Sequence, residues 1–217
     1  YCLHEQRLLS ICPAPMRNSA ITFPQAGYKA LIFDLDGTLV DSMPAHFRSW
    51  CLALSDHGSP NVFPEDVFYA MGGRPTRDIV EILNGEQGLK LDPDAVALAK
   101  RRHFLAGLDQ LEFVDDVIEF ARANAGKVPM AIASGGTRLV VEKTLQVLGV
   151  SDLFDEVVTA DDVTNGKPAP DIFLETSERL GIAPSDCVVF EDARPGIQAA
   201  REAGMEVVIV PTHLHLD

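Results

Sequence analysis

The chain has 217 residues, of which 47% are hydrophobic and 23% are charged, a composition typical of a globular protein. Its 32 acidic and 18 basic side chains give a formal net charge of -14 at pH 7, which disfavours a surface for nucleic acids or anionic membranes. No apolar run approaches the roughly 20 residues of a membrane-spanning helix. An anionic substrate would therefore need a few cations placed locally in its site.

Residues 1–25 precede the first predicted element, and we expect them to form a mobile extension. Their apolar stretch, residues 8–12, is short for the core of a secretory signal and gives way to prolines. Because the chain begins with Tyr1, Met16 is a candidate for the natural start. The cysteines show no metal-binding spacing, so we expect free thiols in a reducing, cytoplasmic location; they occupy positions 2, 12, 51 and 187.

The first predicted element is a buried strand, the apolar run at residues 28–32, which leads into Asp34, Asp36 and Gly37. Two carboxylates one residue apart repel each other and favour a bound cation such as Mg²⁺. A carboxylate beside a metal can attack phosphorus, and a second carboxylate can transfer the proton. The alternative is an ordinary acidic turn, because Asp and Gly are common turn residues.

Residues 43–111 are predicted to form a separate helical cap domain. The first helix carries an apolar stripe at spacings of three and four, and prolines at 64 and 93 suit the first turns of two others. No strand is predicted between these helices, which cover residues 44–55, 64–70, 76–83 and 93–108. The cap domain is thus an insertion after the first strand.

From Phe113 onward, predicted helices alternate with strands. Alternation of this kind predicts right-handed crossovers and a parallel, five-stranded α/β sheet flanked by helices. The core domain would comprise residues 26–42 and 112–217. Ligands bind beyond the carboxyl ends of the strands in such sheets. The polar clusters follow strands predicted at 28–32, 129–133, 156–159, 187–190 and 206–210.

Four short motifs, in this order along the chain, resemble those of the haloacid dehalogenase superfamily of phosphohydrolases. The resemblance covers residues 28–211 and implies a Rossmann-like core with a helical-bundle cap. The matching motifs are Asp34-Leu35-Asp36-Gly37-Thr38, Ser134, Lys167 and Glu191-Asp192.

The resemblance implies that Asp34 is the nucleophile and that Asp36 is the acid and base. It also implies a Mg²⁺ site made by Asp34, the backbone carbonyl of Asp36 and Asp192, with Glu191 as a ligand or a neighbour of the ligands. Asp36 argues against dehalogenation, because a halide leaving group needs no proton and the superfamily's dehalogenases lack this second carboxylate. Phosphate chemistry is therefore favoured.

By the same resemblance, Ser134 and Gly135 would bind a phosphoryl oxygen near the start of a helix, and Lys167 would bridge the phosphoryl and nucleophile charges. Thr38 would belong to the phosphate loop. Each has a simpler interpretation: Ser134 and Thr38 could cap a helix or a turn, and a Gly-Lys-Pro loop is often a solvent-exposed turn.

The cap domain is placed to close over the site, exclude water and select the leaving group. His46 and Trp50 lie one helical turn apart near the hinge, where they could meet a sugar. Trp50 could equally be a core residue, and each arginine could belong to a solvated face. The candidate specificity residues are His46, Trp50, Arg74, Arg77 and Arg102.

Within the superfamily, the stretch 41–50 resembles the branch that holds sugar-phosphate phosphatases and β-phosphoglucomutase. The mutase carries an asparagine after the serine of the second motif, where this chain has Gly135-Gly136-Thr137-Arg138. Its cap-loop arginine has no clean match because Arg74 precedes Pro75. Arg138 could still bind phosphate, so the mutase remains the alternative. A catalytically inactive sugar-phosphate binder is disfavoured because no motif residue is missing. We expect a monomer that binds a small phosphorylated substrate.

Overall fold

The computed structural model describes residues 21–25, 27–72 and 74–211. Its strands in chain order are β1 (Ala30–Phe33), β2 (Val40–Asp41), β3 (Glu112–Phe113), β4 (Met130–Ser134), β5 (Glu156–Thr159), β6 (Cys187–Glu191) and β7 (Glu206–Ile209). Its α-helices are α1 (Met43–Asp56), α2 (Glu65–Ala70), α3 (Thr76–Gln87), α4 (Pro93–Ala106), α5 (Asp115–Asn124), α6 (Arg138–Val147), α7 (Asp171–Leu180) and α8 (Arg194–Glu202).

The predicted five-stranded sheet is confirmed. Its order is β5-β4-β1-β6-β7, and every neighbouring pair is parallel. Strand β1 lies at the centre, where Ile32 pairs with Ala131 on one side and Val189 on the other. All four residues of β1 are fully buried, as expected for a strand covered on both faces.

The two faces of the sheet are covered by different helices. Side chains alternate along a strand, so Leu31 and Phe33 point to one face and Ala30 and Ile32 to the other. The first face packs against apolar residues of α5 and α6, and the second against those of α7 and α8. This layering leaves the carboxyl edge of the sheet available for a site.

The cap domain has its own hydrophobic cluster, centred on Trp50 and built by all four cap helices. Helix α4 begins at Pro93 behind Asp92, whose carboxylate accepts hydrogen bonds from the backbone N–H groups of Asp94 and Ala95. Helix α3 runs four residues beyond its predicted end and stops at Gly88, which has a left-handed conformation.

The two chain segments that join the cap to the core pair with each other. Strands β2 and β3 are antiparallel, with Val40 opposite Phe113 and Asp41 opposite Glu112. The sequence analysis missed this ribbon, because two-residue strands are too short to show an alternating pattern.

The last residues of the predicted N-terminal extension contact the core. Residues 1–20 lie outside the described chain, but Phe23 stacks on Phe120, with 4.7 Å between ring centroids, and contacts Phe190 at 6.0 Å. Phe23 is thus half-buried and packs against the core, while the expected mobility of the extension stays a prediction. Among the residues that the structure describes, no helix is long and apolar enough to cross a bilayer.

Candidate active site

The carboxyl edge of the sheet brings together polar residues from three adjacent strands. Asp34 follows β1, Ser134 ends β4 and Glu191 ends β6, and all three side chains are buried. The backbone N–H of Asp34 donates to the carbonyl of Phe190 at 3.0 Å, which ties β1 to β6 at this edge. Because β4 and β6 flank β1 on opposite sides, this is the point where the strand order reverses.

Three carboxylates form a compact acidic cluster here. Asp34, Glu191 and Asp192 each offer an oxygen, and these oxygens lie within 4.8 Å of one another. Burial, with the charge of Glu191, holds the pKa of Asp34 well above its usual range and raises the pKa of Asp192 to about 7. Buried carboxylate oxygens that repel each other fit a hard divalent cation such as Mg²⁺. The Asp36 side chain is not in this cluster, and its backbone contribution stays a prediction.

Two glycines and two donors hold the acidic pair in place. A methyl group added at Gly196 would overlap the Glu191 carboxylate, and one at Gly37, which has a φ of +89°, would lie 2.5 Å from Asp192 Oδ2. The Thr38 hydroxyl donates to Asp192 Oδ1 at 3.0 Å, and the Ala193 N–H donates to Glu191 Oε1 at 3.1 Å. Thr38 thus orients an acidic side chain, a contact that its predicted place in a phosphate loop did not include.

Lys167 enters the cluster from the loop before α7. Its Nζ donates to Asp34 Oδ1 at 2.6 Å, to Glu191 Oε2 at 2.7 Å and to the Ala133 carbonyl at 3.2 Å. Burial alone would lower the pKa of Lys167, but the two carboxylates raise it above its usual value. Gly166 and Pro168 are exposed, but the Lys167 side chain is only 11% exposed, so a fixed positive charge lies beside Asp34.

The loop after β4 provides the neutral side of the site. The Gly136 N–H donates to Ser134 Oγ at 3.0 Å, and Gly135 is exposed. A methyl group at Gly136 would lie 3.3 Å from Ser134 Oγ and 3.9 Å from Asp36 Oδ2. Ser134 and Asp36 therefore flank the same small space above the sheet.

Asp36 is held by residues that connect the core to the cap. Ser42 Oγ donates to Asp36 Oδ1 at 2.6 Å, and His46 Nε2 lies 3.0 Å from the same oxygen. Burial opposes ionisation of Asp36, yet its partners His46 and Ser42 lower its pKa to about 2. Asp36 is therefore ionised in this arrangement.

A lysine from helix α4 completes this chain of contacts. Lys100 Nζ lies 3.1 Å from His46 Nδ1, and the His46 ring stacks on Phe104 with 3.9 Å between centroids. An ammonium group only donates, so Nδ1 accepts from Lys100 while Nε2–H donates to Asp36. Burial and the charge of Lys100 lower the pKa of His46, consistent with this neutral form, and burial lowers the pKa of Lys100 to about 8.

Lys100 was missed by the sequence analysis. Val96, Lys100 and Phe104 are spaced by four residues, and the first and last are buried, so the lysine lies on the inward face of α4. A lysine on an apolar stripe was the available signal, but Lys100 begins a basic run and so resembles a solvated face.

Four other predicted substrate residues lie elsewhere. The Trp50 ring is 2% exposed and packs edge-to-face on Phe63 at 5.2 Å, which is the position of a core residue, and Arg74 is exposed. Arg77 and Arg102 donate to nearby carboxylates on the cap surface, those of Asp94 and Asp56. The packing interpretation therefore fits Trp50, and the solvated-face interpretation fits Arg77 and Arg102.

Arg138, the candidate second phosphate ligand, is also engaged. Its guanidinium donates to Glu142 at 2.9 Å and to both oxygens of Asp162, at 2.8 and 2.6 Å. These pairs bind the Arg138 side chain to its own helix and to the short turn after β5. The site's cations within the described chain are thus Lys167 on the core side and Lys100 on the cap side.

Comparison with known proteins agrees with this geometry. The family model of haloacid dehalogenase-like hydrolases matches residues 28–204, which contain the whole cap domain and all four motifs. The chain belongs to this hydrolase family.

Characterised relatives include phosphatases. The chain is 40% identical over 187 residues to fructose-1-phosphate phosphatase YqaB of Escherichia coli, covering 84% of this chain and 96% of that protein. It is 32% identical to a phosphorylated carbohydrates phosphatase of Thermotoga maritima, covering 85% and 86%. The crystal structure of CbbY from Rhodobacter sphaeroides with phosphate superposes with a TM-score of 0.79 at 21% identity, over 88% of this chain and 90% of that chain, and so shares the fold.

Proposed function

We propose that the chain is a magnesium-dependent phosphatase that hydrolyses a small phosphorylated metabolite, a sugar phosphate, through an aspartyl-phosphate. One observation carries the proposal: Lys167 bonds Asp34 and Glu191 at once, at the edge of the sheet where Asp36 also lies. Burial and Glu191 oppose ionisation of Asp34, so the positive charges of Lys167 and of a bound Mg²⁺ would together favour the ionised form that attacks. A second carboxylate nearby handles the proton.

In the first half-reaction, an oxygen of Asp34 attacks phosphorus and the bond from phosphorus to the leaving oxygen breaks. Lys167 offsets negative charge on the transferring group, and the Ser134 hydroxyl can donate to a phosphoryl oxygen. A phosphate dianion raises the pKa of the neighbouring Asp36 by like-charge repulsion, which allows Asp36 to carry the proton that it gives to the leaving oxygen.

In the second half-reaction, Asp36 accepts a proton from water, the water oxygen bonds to phosphorus and the bond to Asp34 breaks. Inorganic phosphate leaves and Asp34 is restored. Asp34, Glu191 and Asp192 would hold Mg²⁺, which supplies positive charge against the phosphoryl oxygens when bound. The cap-side contacts of His46 keep Asp36 oriented through both steps.

The choice of sugar phosphates rests on two supports. The Escherichia coli and Thermotoga maritima relatives are named for phosphorylated sugars or carbohydrates. On the cap side, Lys100 and His46 place polar groups beside Asp36, where the leaving alcohol must lie to receive its proton. A polyhydroxy leaving group suits such donors.

A mutase is the second candidate, and Arg138 bears on it. A mutase must bind a second phosphate while the first is transferred, and the Arg138 guanidinium is already bonded to Asp162 and Glu142. This pairing favours the phosphatase. We also infer a cytoplasmic location, which the free thiols at Cys51 and Cys187 support. We further infer a monomer, which size-exclusion chromatography tests.

Phosphate release from a panel of sugar phosphates, including fructose-1-phosphate, tests the proposal, with Mg²⁺ or with a chelator. We expect release only with Mg²⁺. β-Glucose-1-phosphate with a trace of the 1,6-bisphosphate is run in parallel, because formation of glucose-6-phosphate with little free phosphate would indicate the mutase. Absence of both activities would reject an enzyme acting on these sugars.

Asp192→Asn should abolish the rise in melting temperature that Mg²⁺ gives the parent protein.

A further inference from the structure

One carboxylate outside the acidic cluster ties together three elements of the core. Asp162 ends the short 3-10 turn after β5, and it accepts from Arg138 of α6 at 2.8 and 2.6 Å and from Arg179 of α7 at 3.0 Å. The backbone N–H and the hydroxyl of Thr159 both donate to its Oδ2 at 2.8 Å. The Asp162 side chain is only 14% exposed, and the chemistry proposed above does not use it.

The chain that leaves Asp162 is the loop that carries Lys167. Its first residue, Val163, packs against the apolar cluster beneath α7 and α8. Farther on, the backbone and side-chain N–H groups of Asn165 donate to Asp171, the first residue of α7, at 3.3 and 2.9 Å. The loop is therefore fixed at its start by Asp162 and at its end by Asp171.

Helix α7 contacts both ends of the loop. It begins at Asp171, where the loop ends, and it carries Arg179, which returns to Asp162, where the loop starts. Arg138 adds a second connection, from the helix that follows Ser134. One carboxylate thus connects the loop of Lys167 with the loop of Ser134.

The contacts of Lys167 require an accurate position of its Nζ. Its Nζ makes three contacts of 2.6 to 3.2 Å, two of them with carboxylates of the acidic cluster. A displacement of about 1 Å at a catalytic group can cost roughly 100-fold in rate. A flexible four-carbon side chain keeps such a position only if its backbone is fixed.

We propose that Asp162, clamped by Arg138 and Arg179, is a positioning residue for Lys167. The inference rests on the proposed function in one respect, because that function has Lys167 act on the transferring phosphoryl group. It also gives Arg138 a role other than binding phosphate. Glu142 and Glu175 provide matched controls, because each pairs with one of the same arginines across one helical turn. Within the part of the chain that the structure describes, no hydrogen bond or ion pair joins either glutamate to the loop.

The kinetic test compares Asp162→Asn and Arg179→Gln with Glu142→Gln and Glu175→Gln, using p-nitrophenyl phosphate. We expect kcat to fall about 10- to 100-fold in Asp162→Asn with KM changed less than about threefold, and both controls to stay within about twofold. In a protein that already carries Lys167→Ala, the Asp162→Asn change should lower kcat little further. An unchanged kcat, or full additivity with Lys167→Ala, would overturn the proposal.

A second readout does not depend on activity. Acetic anhydride labels accessible lysines of the folded protein, and mass spectrometry gives the rate at each site. We expect Lys167 to react slowly in the parent and both controls and severalfold faster in Asp162→Asn, while the exposed Lys29 reacts alike in all. Equal labelling of Lys167 would refute the positioning role.

The two readouts separate this inference from the proposed function. If the parent protein releases no phosphate from any phosphomonoester, the proposed function fails, and labelling of Lys167 still decides whether Asp162 positions it. If Asp162→Asn melts below the assay temperature, both measurements are made on Arg179→Gln instead. This change removes one of the hydrogen bonds to Asp162 and keeps the Asp162 carboxylate. We expect its effects to be in the same direction and smaller.

Discussion

The core side and the cap side of the site are built on different principles. On the core side, Lys167 bonds both Asp34 and Glu191, and each of these carboxylates lies at the end of a buried strand. On the cap side, the contact with the catalytic groups passes through His46, backed by Lys100. The core side is therefore set by the sheet, where we propose that it binds the phosphoryl group, whereas the cap side depends on how two helices pack.

The largest expected effect lies on the core side. Asp34→Asn removes the nucleophile, so we expect turnover to fall by roughly 10⁴-fold or more while the fold is kept. Steady-state phosphate release measures the loss, and circular dichroism checks the fold. Asp116→Asn, the same change at an exposed position, is the control. Turnover near that of the parent would reject Asp34 as the nucleophile.

A smaller but distinctive effect is expected on the cap side. His46→Ala removes a hydrogen bond that lowers the pKa of Asp36, so this pKa rises from about 2. Asp36 must be ionised to accept a proton from water, and the acid limb of the kcat profile should move to higher pH. We also expect kcat at pH 7 to fall about 10- to 100-fold. The control is His57→Ala, at an exposed histidine just after α1, which should change neither the acid limb nor kcat. If the acid limb does not move in His46→Ala, His46 does not set the pKa of Asp36.

The half-buried ion pairs of Asp162 allow a comparison by stability. Burial raises the pKa of Asp162, but hydrogen bonds from Arg138, Thr159 and Arg179 lower it well below its usual value. A lowered folded-state pKa contributes stability above the unfolded-state pKa of about 4, and this is lost as the pH falls through the folded-state value. Asp162→Asn should therefore cost about 1–2 kcal/mol at pH 7 and less at pH 3. Urea denaturation at both pH values measures this, and a pH-independent difference would count against it.

The smallest effect is expected for the arginines on the cap surface. Arg77 and Arg102 pair with carboxylates where both partners are well exposed to solvent. Such pairs contribute little, so Arg77→Gln and Arg102→Gln should leave phosphate release within about twofold of the parent for every sugar phosphate tested. A substrate-specific loss would show that the arginine reaches the substrate when the cap closes.

The same contrast explains what could be predicted from the sequence. The core side follows from local signals, because Asp34, Ser134 and Glu191 each sit at the end of an apolar run and a parallel sheet brings such ends together. Their order along the chain also matches family motifs.

Other features depend on tertiary packing and leave no local pattern. The stacking of His46 on Phe104 and the contact with Lys100 arise from the packing of α1 on α4. Trp50 at one turn from His46 could face either the site or the cap core, and the helical period alone does not decide between them. Phe23 likewise joins the core through Phe120, which lies far along the chain.

The β2–β3 ribbon has a consequence for how this protein can evolve. Because Val40 pairs with Phe113 and Asp41 with Glu112, the chain leaves the core and returns to it at neighbouring points. The distance between these points does not depend on what lies between them. A shorter, longer or differently folded insert can replace residues 43–111 while the ends stay paired. New substrates can then be acquired by exchange of one module, provided that the new insert again supplies a partner for Asp36 in place of His46.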